Sequence, residues 1–421
     1  MGKVRKHKGK KFTILIIILF LGLLFFALYG NGYFDNKELL NKKKNESVCL
    51  NYNEYMVTNK VAILYDEEGN EKGKIGDKVE LSLNEDNTNE MFNIGNLDGK
   101  YYIKCGDVEK VDELGALDER YKNYIVFNEN IVTNDVTNFY DDSDNLIYSI
   151  NDSFDLPIII KDDSKYGTEF DNKLLYVKKE DVKEVKENNN TELHNASGVV
   201  VLNYHAFYDE NNEEEKNNCT TVICHSMSQF RSHLDYFKEN NILTIKVKEL
   251  EMYIDGKLQL PKSVLITIDD GVKSEHGVEL LTEYKMYGTI FLITSWFDVD
   301  KFYKTEYIEL HSHSDNLHEL GDCPMGQGGG IQCLSEEVIQ KDLKASREKL
   351  GGTTYFCYPF YEFNDYSERM LKKAGFTMAF IGESSGDNLV HVNSNKFKLK
   401  RFVIVKSTTL SDFDRYFSQI E

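Results

Sequence analysis

Asp269 and Asp270 stand side by side at the end of an apolar run, Val264-Leu-Ile-Thr-Ile-Asp-Asp-Gly271. Short β-branched runs of this kind read as buried strands. The C-terminal mouth of a parallel strand is where α/β folds place their chemistry. One acid suits a metal ion, and the other suits the work of a base on water. The rival reading has both acids capping a following helix, with Gly271 making the turn. A second stretch, Ile308-Glu-Leu-His-Ser-His-Ser-Asp-Asn-Leu-His318, places three histidines within eight residues. Imidazoles with a carboxylate make a usual donor set for catalytic zinc and similar ions. Asp270, His313 and His318 form such a set with positions left open. His311 lies two residues before His313, on the same side of an extended segment, as a further ligand or a support. A helix cap has no use for these partners, so the metal reading is preferred.

Such residues need rigid elements behind them. Val199-Val-Val-Leu-Asn-Tyr-His205 predicts a first buried strand. A helix over 228–240 carries Phe230, Leu234 and Phe237 at helical spacing. Strands follow at Ile242–Ile245 and Gly288–Thr294, and helices at 247–254 and about 275–287. The alternation predicts, for 198–421, an α/β domain with a mostly parallel sheet or barrel. A polar linker, 188–197, precedes it. Earlier still, Val57-Thr-Asn-Lys-Val-Ala-Ile-Leu-Tyr-Asp66 recurs as Val132-Thr-Asn-Asp-Val-Thr-Asn-Phe-Tyr-Asp141. Tyr102–Val111 likewise recurs as Tyr176–Val185. Two matched segments at nearly one offset mark a repeat. Its short alternating strands predict two small all-β domains, 52–120 and 121–187.

The net charge of −20 argues against a nucleic-acid partner, which needs a basic face. Six of the first eleven residues are Lys or Arg, and residues 12–30 carry no charge. Nineteen such residues in a helix cover a bilayer core of roughly 30 Å. The expectation is a cytoplasmic tail (1–11), a transmembrane signal anchor (12–30) and a spacer (31–51). The protein is then single-pass in the cell membrane, with its C-terminal domains outside the cell. A cleaved signal peptide is the rival, but the run is long for one and no clear small-residue cleavage site follows. Seven cysteines leave at least one free. Short spacing suggests the pairs Cys219–Cys224 and Cys323–Cys333, with Cys49–Cys105 as a third.

The motifs carry a resemblance. Thr267-Ile-Asp-Asp-Gly271 is similar to the first motif of polysaccharide deacetylases, the carbohydrate esterases of the NodB-homology type. Ser312-His-Ser-Asp-Asn-Leu-His318 resembles their second motif. Its five-residue histidine step is that of the branch with the poly-N-acetylglucosamine deacetylases. Tyr358-Pro-Phe-Tyr361 resembles the third motif, Ala374–Phe380 the strand region after it, and Lys398-Leu-Lys-Arg-Phe402 the closing segment. The resemblance spans about 198–421 and implies a distorted (β/α) barrel. The repeats before it resemble bacterial SH3-like domains, which bind cell wall or act as spacers.

The resemblance further implies a divalent metal, zinc first, held by Asp270, His313 and His318. It makes Asp269 the general base and places substrate and oxyanion contacts at Tyr358, Pro359, Phe360 and Tyr361. It implies removal of N-acetyl groups from N-acetylglucosamine units of peptidoglycan or a poly-N-acetylglucosamine-type glycan. Two features depart from the family. Cys357 stands where many members have an arginine that orients the base, which leaves Arg401 for that role. The closing histidine motif is matched only by Leu389-Val-His-Val392, which makes His391 the general-acid candidate, with His205 a second. A wall-binding scaffold with a degenerate domain, or an O-acetyl esterase, are the alternatives. Asp322–Cys333 is a glycine-rich loop between two cysteines, either a wall of a glycan groove or a surface insertion. Trp296, the only tryptophan, is a sugar platform or a packing residue.

Overall fold

The computed structural model describes residues 55–88, 90–97, 100–111, 119–188, 194–324 and 326–420. They form two compact units. The first comprises residues up to 118, with 132–154 and 169–183. It is all β, and the sequence repeat is visible in its hydrogen bonds. Asp66 accepts from the backbone and side chain of Asn70 at 2.7 and 3.0 Å, and Asp141 accepts from those of Asn145 at 2.8 Å each. Thr58 Oγ1 accepts from Val79 N, and Thr133 Oγ1 from Phe154 N, both at 2.8 Å. Each lock closes a turn with a short polar side chain. The equivalent strands Glu71–Ile75 and Leu146–Ile150 pair antiparallel, Lys74 opposite Ser149, and so join the two repeats.

The second unit comprises 119–131, 155–168 and 184–421. Its centre is a parallel sheet in the order Met378–Phe380, Tyr355–Cys357, Ile308–Ser312, Gly288–Leu292, Ser263–Asp270, Val200–Tyr204 and Phe402–Val403. Leu243–Thr244 pairs beside Ser263–Asp270. All of these strand pairings are parallel. Alternation sorts the side chains. Val264, Ile266 and Ile268 pack outward with Phe230, Leu234 and Phe237 of helix Met227–Glu239 and with Val278 and Leu281 of helix Glu275–Tyr284. Thr267 and Asp269 therefore face the other side. The expected 275–287 helix stops at Tyr284, because Lys285 turns left-handed (φ 54°) and Met286 N donates back to Leu281 O. Disulfides join Cys219 to Cys224 and Cys323 to Cys333, and Cys357 is free and buried. Cys49 lies outside the described residues.

The expected membrane location is corrected here. No helix among the described residues is long and apolar enough to cross a membrane, and residues 12–30 lie outside them. A single-pass, membrane-anchored placement with a membrane partner is therefore not retained.

Candidate active site

Asp269 and Asp270 end their strand at the C-terminal mouth of the parallel sheet, paired in register with Phe291 and Leu292. Asp270 adopts a left-handed backbone (φ 69°), and Gly271 follows at φ 87°. A Cβ at Gly271 would lie 2.3 Å from Leu292, so only glycine fits the turn that swings the second carboxylate away from the first. Left-handed non-glycine residues cost about 1–3 kcal/mol each and gather where function needs them.

The two acids separate completely. Asp269 is 1% exposed and takes both terminal nitrogens of Arg401, at 2.7 and 2.8 Å. Arg401 is itself fully buried and also donates to Ile381 O, Thr267 Oγ1 and Cys357 Sγ. The Cys357 thiol donates to Asp269 Oδ2 at 3.3 Å. Burial alone would raise the Asp269 pKa, but the guanidinium prevails and holds the carboxyl well below the usual carboxylate range. Burial raises the Cys357 thiol, so the sulfur is a neutral donor beside Asp269.

Asp270 points to the imidazoles. Its Oδ1 lies 3.3 Å from His313 Nε2 and 3.3 Å from His318 Nε2, yet it is buried and hydrogen-bonded to neither. His313 Nδ1 lies 2.8 Å from the carbonyl of Cys357; carrying the proton there leaves Nε2 with its lone pair. One carboxylate oxygen and two imidazole nitrogens converge here, and a cation suits that arrangement. Asp270, His313 and His318 are accordingly a group able to hold a metal, and the residues fit one. Asp269, His313 and Cys357 also come together, but Arg401 already occupies the charge of Asp269 there.

Further contacts hold these side chains in place. Asp342 accepts the backbone N–H groups of Asp315 and Asn316, at 2.9 and 2.6 Å, and so holds the segment between the two histidines. Burial pushes the Asp342 carboxyl up to about 6. No motif in the sequence marks this residue; its only signal is a place on helix Glu336–Lys349. His318 packs on Phe360, with ring centroids 4.3 Å apart, and edge-on to the half-exposed Trp296 at 5.8 Å. Tyr358, Pro359, Phe360 and Tyr361 form a tight turn after strand Tyr355–Cys357. Phe360 and Tyr361 are both left-handed (φ 57° and 61°). Tyr361 N donates to Tyr358 O and Glu362 N to Pro359 O, so no hydrogen bond within the turn uses the Phe360 N–H.

The other histidines fall elsewhere. His391 bonds Ser197 O and Asp387, each at 2.6 Å. Its neighbour Val390 bridges Val199, at the start of the first strand, so His391 sits at the end of the sheet opposite the acids. His205 directly follows the other end of that strand, at the mouth. It is half-buried, its buried Nδ1 has no hydrogen-bond partner among the described residues, and its Nε2 lies 3.4 Å from Tyr361 Oη. Burial lowers its pKa, opposed by Asp269 and Asp270. His311 is outside the ligand group: its Nδ1 bonds Thr353 and its ring packs edge-on to Tyr355.

Fold and site define a class: an α/β domain with a carboxylate–imidazole cluster at the C-terminal mouth of its sheet, arranged for hydrolysis. Residues 257–379 match the family described as polysaccharide deacetylase, so this unit carries a polysaccharide deacetylase domain of the NodB type, a hydrolase domain. No curated protein matches the chain. Among solved structures it is similar to a de-N-acetylase from Aggregatibacter actinomycetemcomitans, at 20% identity and TM-score 0.43 over 52% of this chain and 99% of that one. It is also similar to IcaB from Ammonifex degensii, at 20% identity and TM-score 0.44 over 53% and 96%. The Streptococcus pyogenes deacetylase PplD in complex with acetate gives 16% identity and TM-score 0.43 over 52% and 98%. At these scores the three likenesses add nothing to the domain assignment.

Proposed function

We propose that the C-terminal unit is a divalent-metal-dependent hydrolase that removes N-acetyl groups from N-acetylglucosamine units of a polysaccharide. Peptidoglycan and poly-N-acetylglucosamine are the substrate class. The observation that carries this reading is the orphaned Asp270 Oδ1 between two histidine nitrogens, beside a second acid committed to Arg401.

Asp270, His313 and His318 hold the ion, zinc by donor type. When bound, the ion supplies Lewis acidity toward the acetyl carbonyl and lowers the pKa of water. Asp269 takes the proton from the attacking water; Arg401 keeps it ionised and fixes both its oxygens. Of the Tyr358–Tyr361 turn, Phe360 and Tyr361 are half-buried at the mouth, whereas Tyr358 and Pro359 are buried behind them and keep a structural place only. The Phe360 N–H, left over by the turn, faces the negative charge that develops on the carbonyl oxygen. His205, at the mouth and 3.4 Å from Tyr361 Oη, is the general acid: in its protonated form it gives a proton to the departing amine and regains one from solvent, as Asp269 returns its own. His391 has no part in this, since the opposite end of the sheet is out of reach. The β repeats, as SH3-like modules, space the enzyme from its glycan or hold the wall.

The test is acetate release from peptidoglycan and from N-acetylglucosamine oligomers, with zinc and with chelator. Release is expected with zinc and lost with chelator. Asp269→Asn is expected to retain zinc and lose about 10²–10⁴-fold in rate. Full activity of Asp269→Asn, or release unaffected by chelator, removes the proposal.

A further inference from the structure

We infer that Glu362 is a positioning residue: its carboxylate, received by the glycine-rich loop between Cys323 and Cys333, braces the Pro359–Tyr361 turn against His318. The inference rests on the deacetylase reading, because that turn supplies the proposed oxyanion donor.

The turn is conformationally costly. Two consecutive non-glycine residues are left-handed, and the turn's own two hydrogen bonds do not explain why they stay so. Something outside must hold it on both flanks. On one flank Tyr361 Oη donates to Asn203 Oδ1 at 2.5 Å, and its ring lies against Gly382. On the other flank stands Glu362. One of its oxygens accepts from Gln327 N; the other accepts from Gly329 N at 2.7 Å and Gln332 Nε2 at 2.8 Å.

The loop is built for that carboxylate. A Cβ at Gly326 would lie 1.8 Å from Glu362 Oε1, and one at Gly329 would lie 2.8 Å from Oε2 and 3.4 Å from the Phe360 ring. Gly328 is left-handed, and a Cβ there would meet Gly321 O at 1.9 Å. Backbone N–H groups in such a run make an anion-binding concavity. Here the chain's own carboxylate fills it. The Cys323–Cys333 disulfide closes the loop, and Gly330 approaches Leu317, the neighbour of His318. The loop thus touches the chain on both sides of the Phe360–His318 stack. This explains a glycine-rich stretch that has neither the lysine nor the preceding strand of a phosphate loop.

The experiment compares wild type with Glu362→Gln, and with a Cys323→Ser/Cys333→Ser double variant, in the full chain. Four quantities are read: kcat and KM on N-acetylglucosamine oligomers, zinc affinity, melting temperature, and amide hydrogen exchange. Trp296, the only tryptophan and 5.8 Å from His318, reports zinc binding by fluorescence. Glu362→Gln is expected to lower kcat roughly tenfold to a hundredfold with KM changed less than about twofold. Zinc should still bind, and exchange should quicken together in 326–332 and 359–362. Glu362→Asp should recover part of the rate. The cysteine variant should act in the same direction, and its effect should not add to that of Glu362→Gln. Unchanged kcat, a rise in KM alone, or exchange confined to one segment overturns the brace. If wild type releases no acetate, the deacetylase reading falls, and the coupled exchange still decides whether Glu362 braces the turn.

Discussion

Asp269 and Asp270 differ by one residue and by nearly everything around them. Asp269 sits in a closed set of donors, two from Arg401 and one from Cys357. Asp270 has an oxygen without a hydrogen-bond partner among the described residues. A buried ion pair is weak evidence of net stabilisation, but breaking one is expensive. Arg401→Met is therefore expected to cost about 3–5 kcal/mol, because it leaves a buried carboxylate unpaired. Denaturant melts would show it, together with loss of activity. The pair also has a pH signature. A carboxyl whose folded pKa is depressed contributes stability that is present above the ordinary carboxylate range and is lost as pH falls through it. An Arg401→Met protein as stable as wild type would mean that the guanidinium is not what keeps Asp269 charged.

At the scale of elements, the sheet is held to its helices by apolar stripes that include one polar contact. His233 on helix Met227–Glu239 is 1% exposed and lies 2.9 Å from Tyr204 Oη, with its ring against Phe413. Burial pushes its pKa down to about 3, so it is neutral in the folded protein. The unfolded chain binds a proton near pH 6.5, and the folded protein does not until about pH 3. Stability should therefore fall as pH drops between those values, by on the order of 1.4 kcal/mol per pH unit from this group. His233→Gln should flatten the difference between melting temperatures at pH 7 and pH 4.5. A curve of the same slope in the variant would assign the acid sensitivity to other groups. The strand and helix order was legible in the sequence because periodicity is local. The end of helix Glu275–Tyr284 was not, since it depends on one left-handed lysine.

At the scale of the whole molecule, the residues that fold together are not contiguous. Arg120 belongs to the second unit. It forms a bidentate pair with Glu249, donates to Thr244 O at 2.8 Å and lies over the Tyr287 ring at 4.1 Å. Ile125 N donates to Gln259 O, and Lys161 N to Lys257 O. A fragment of 198–421 therefore lacks partners that it buries in the full chain. It is expected to be less stable than the full chain by about 3 kcal/mol or more from the Glu249 pair alone. Arg120→Ala in the full chain should reproduce much of that loss. Equal melting temperatures for fragment and full chain would rule this out.

The sequence alone determined what is local. A strand ending in Asp-Asp-Gly, a five-residue histidine step and a repeated β segment each lie within a short stretch, where residue type and spacing suffice. Tertiary structure decided what joins distant positions. Arg401 reaches Asp269 across 132 residues, and Tyr361 reaches Asn203 across 158. It brought His205 to the mouth and left His391 at the far end, a distinction no spacing encodes, because both histidines flank the same strand. It also gave the glycine-rich loop its occupant. A carboxylate that enters a nest of N–H groups needs space cleared from both sides, and only the folded chain shows that Glu362 takes that space.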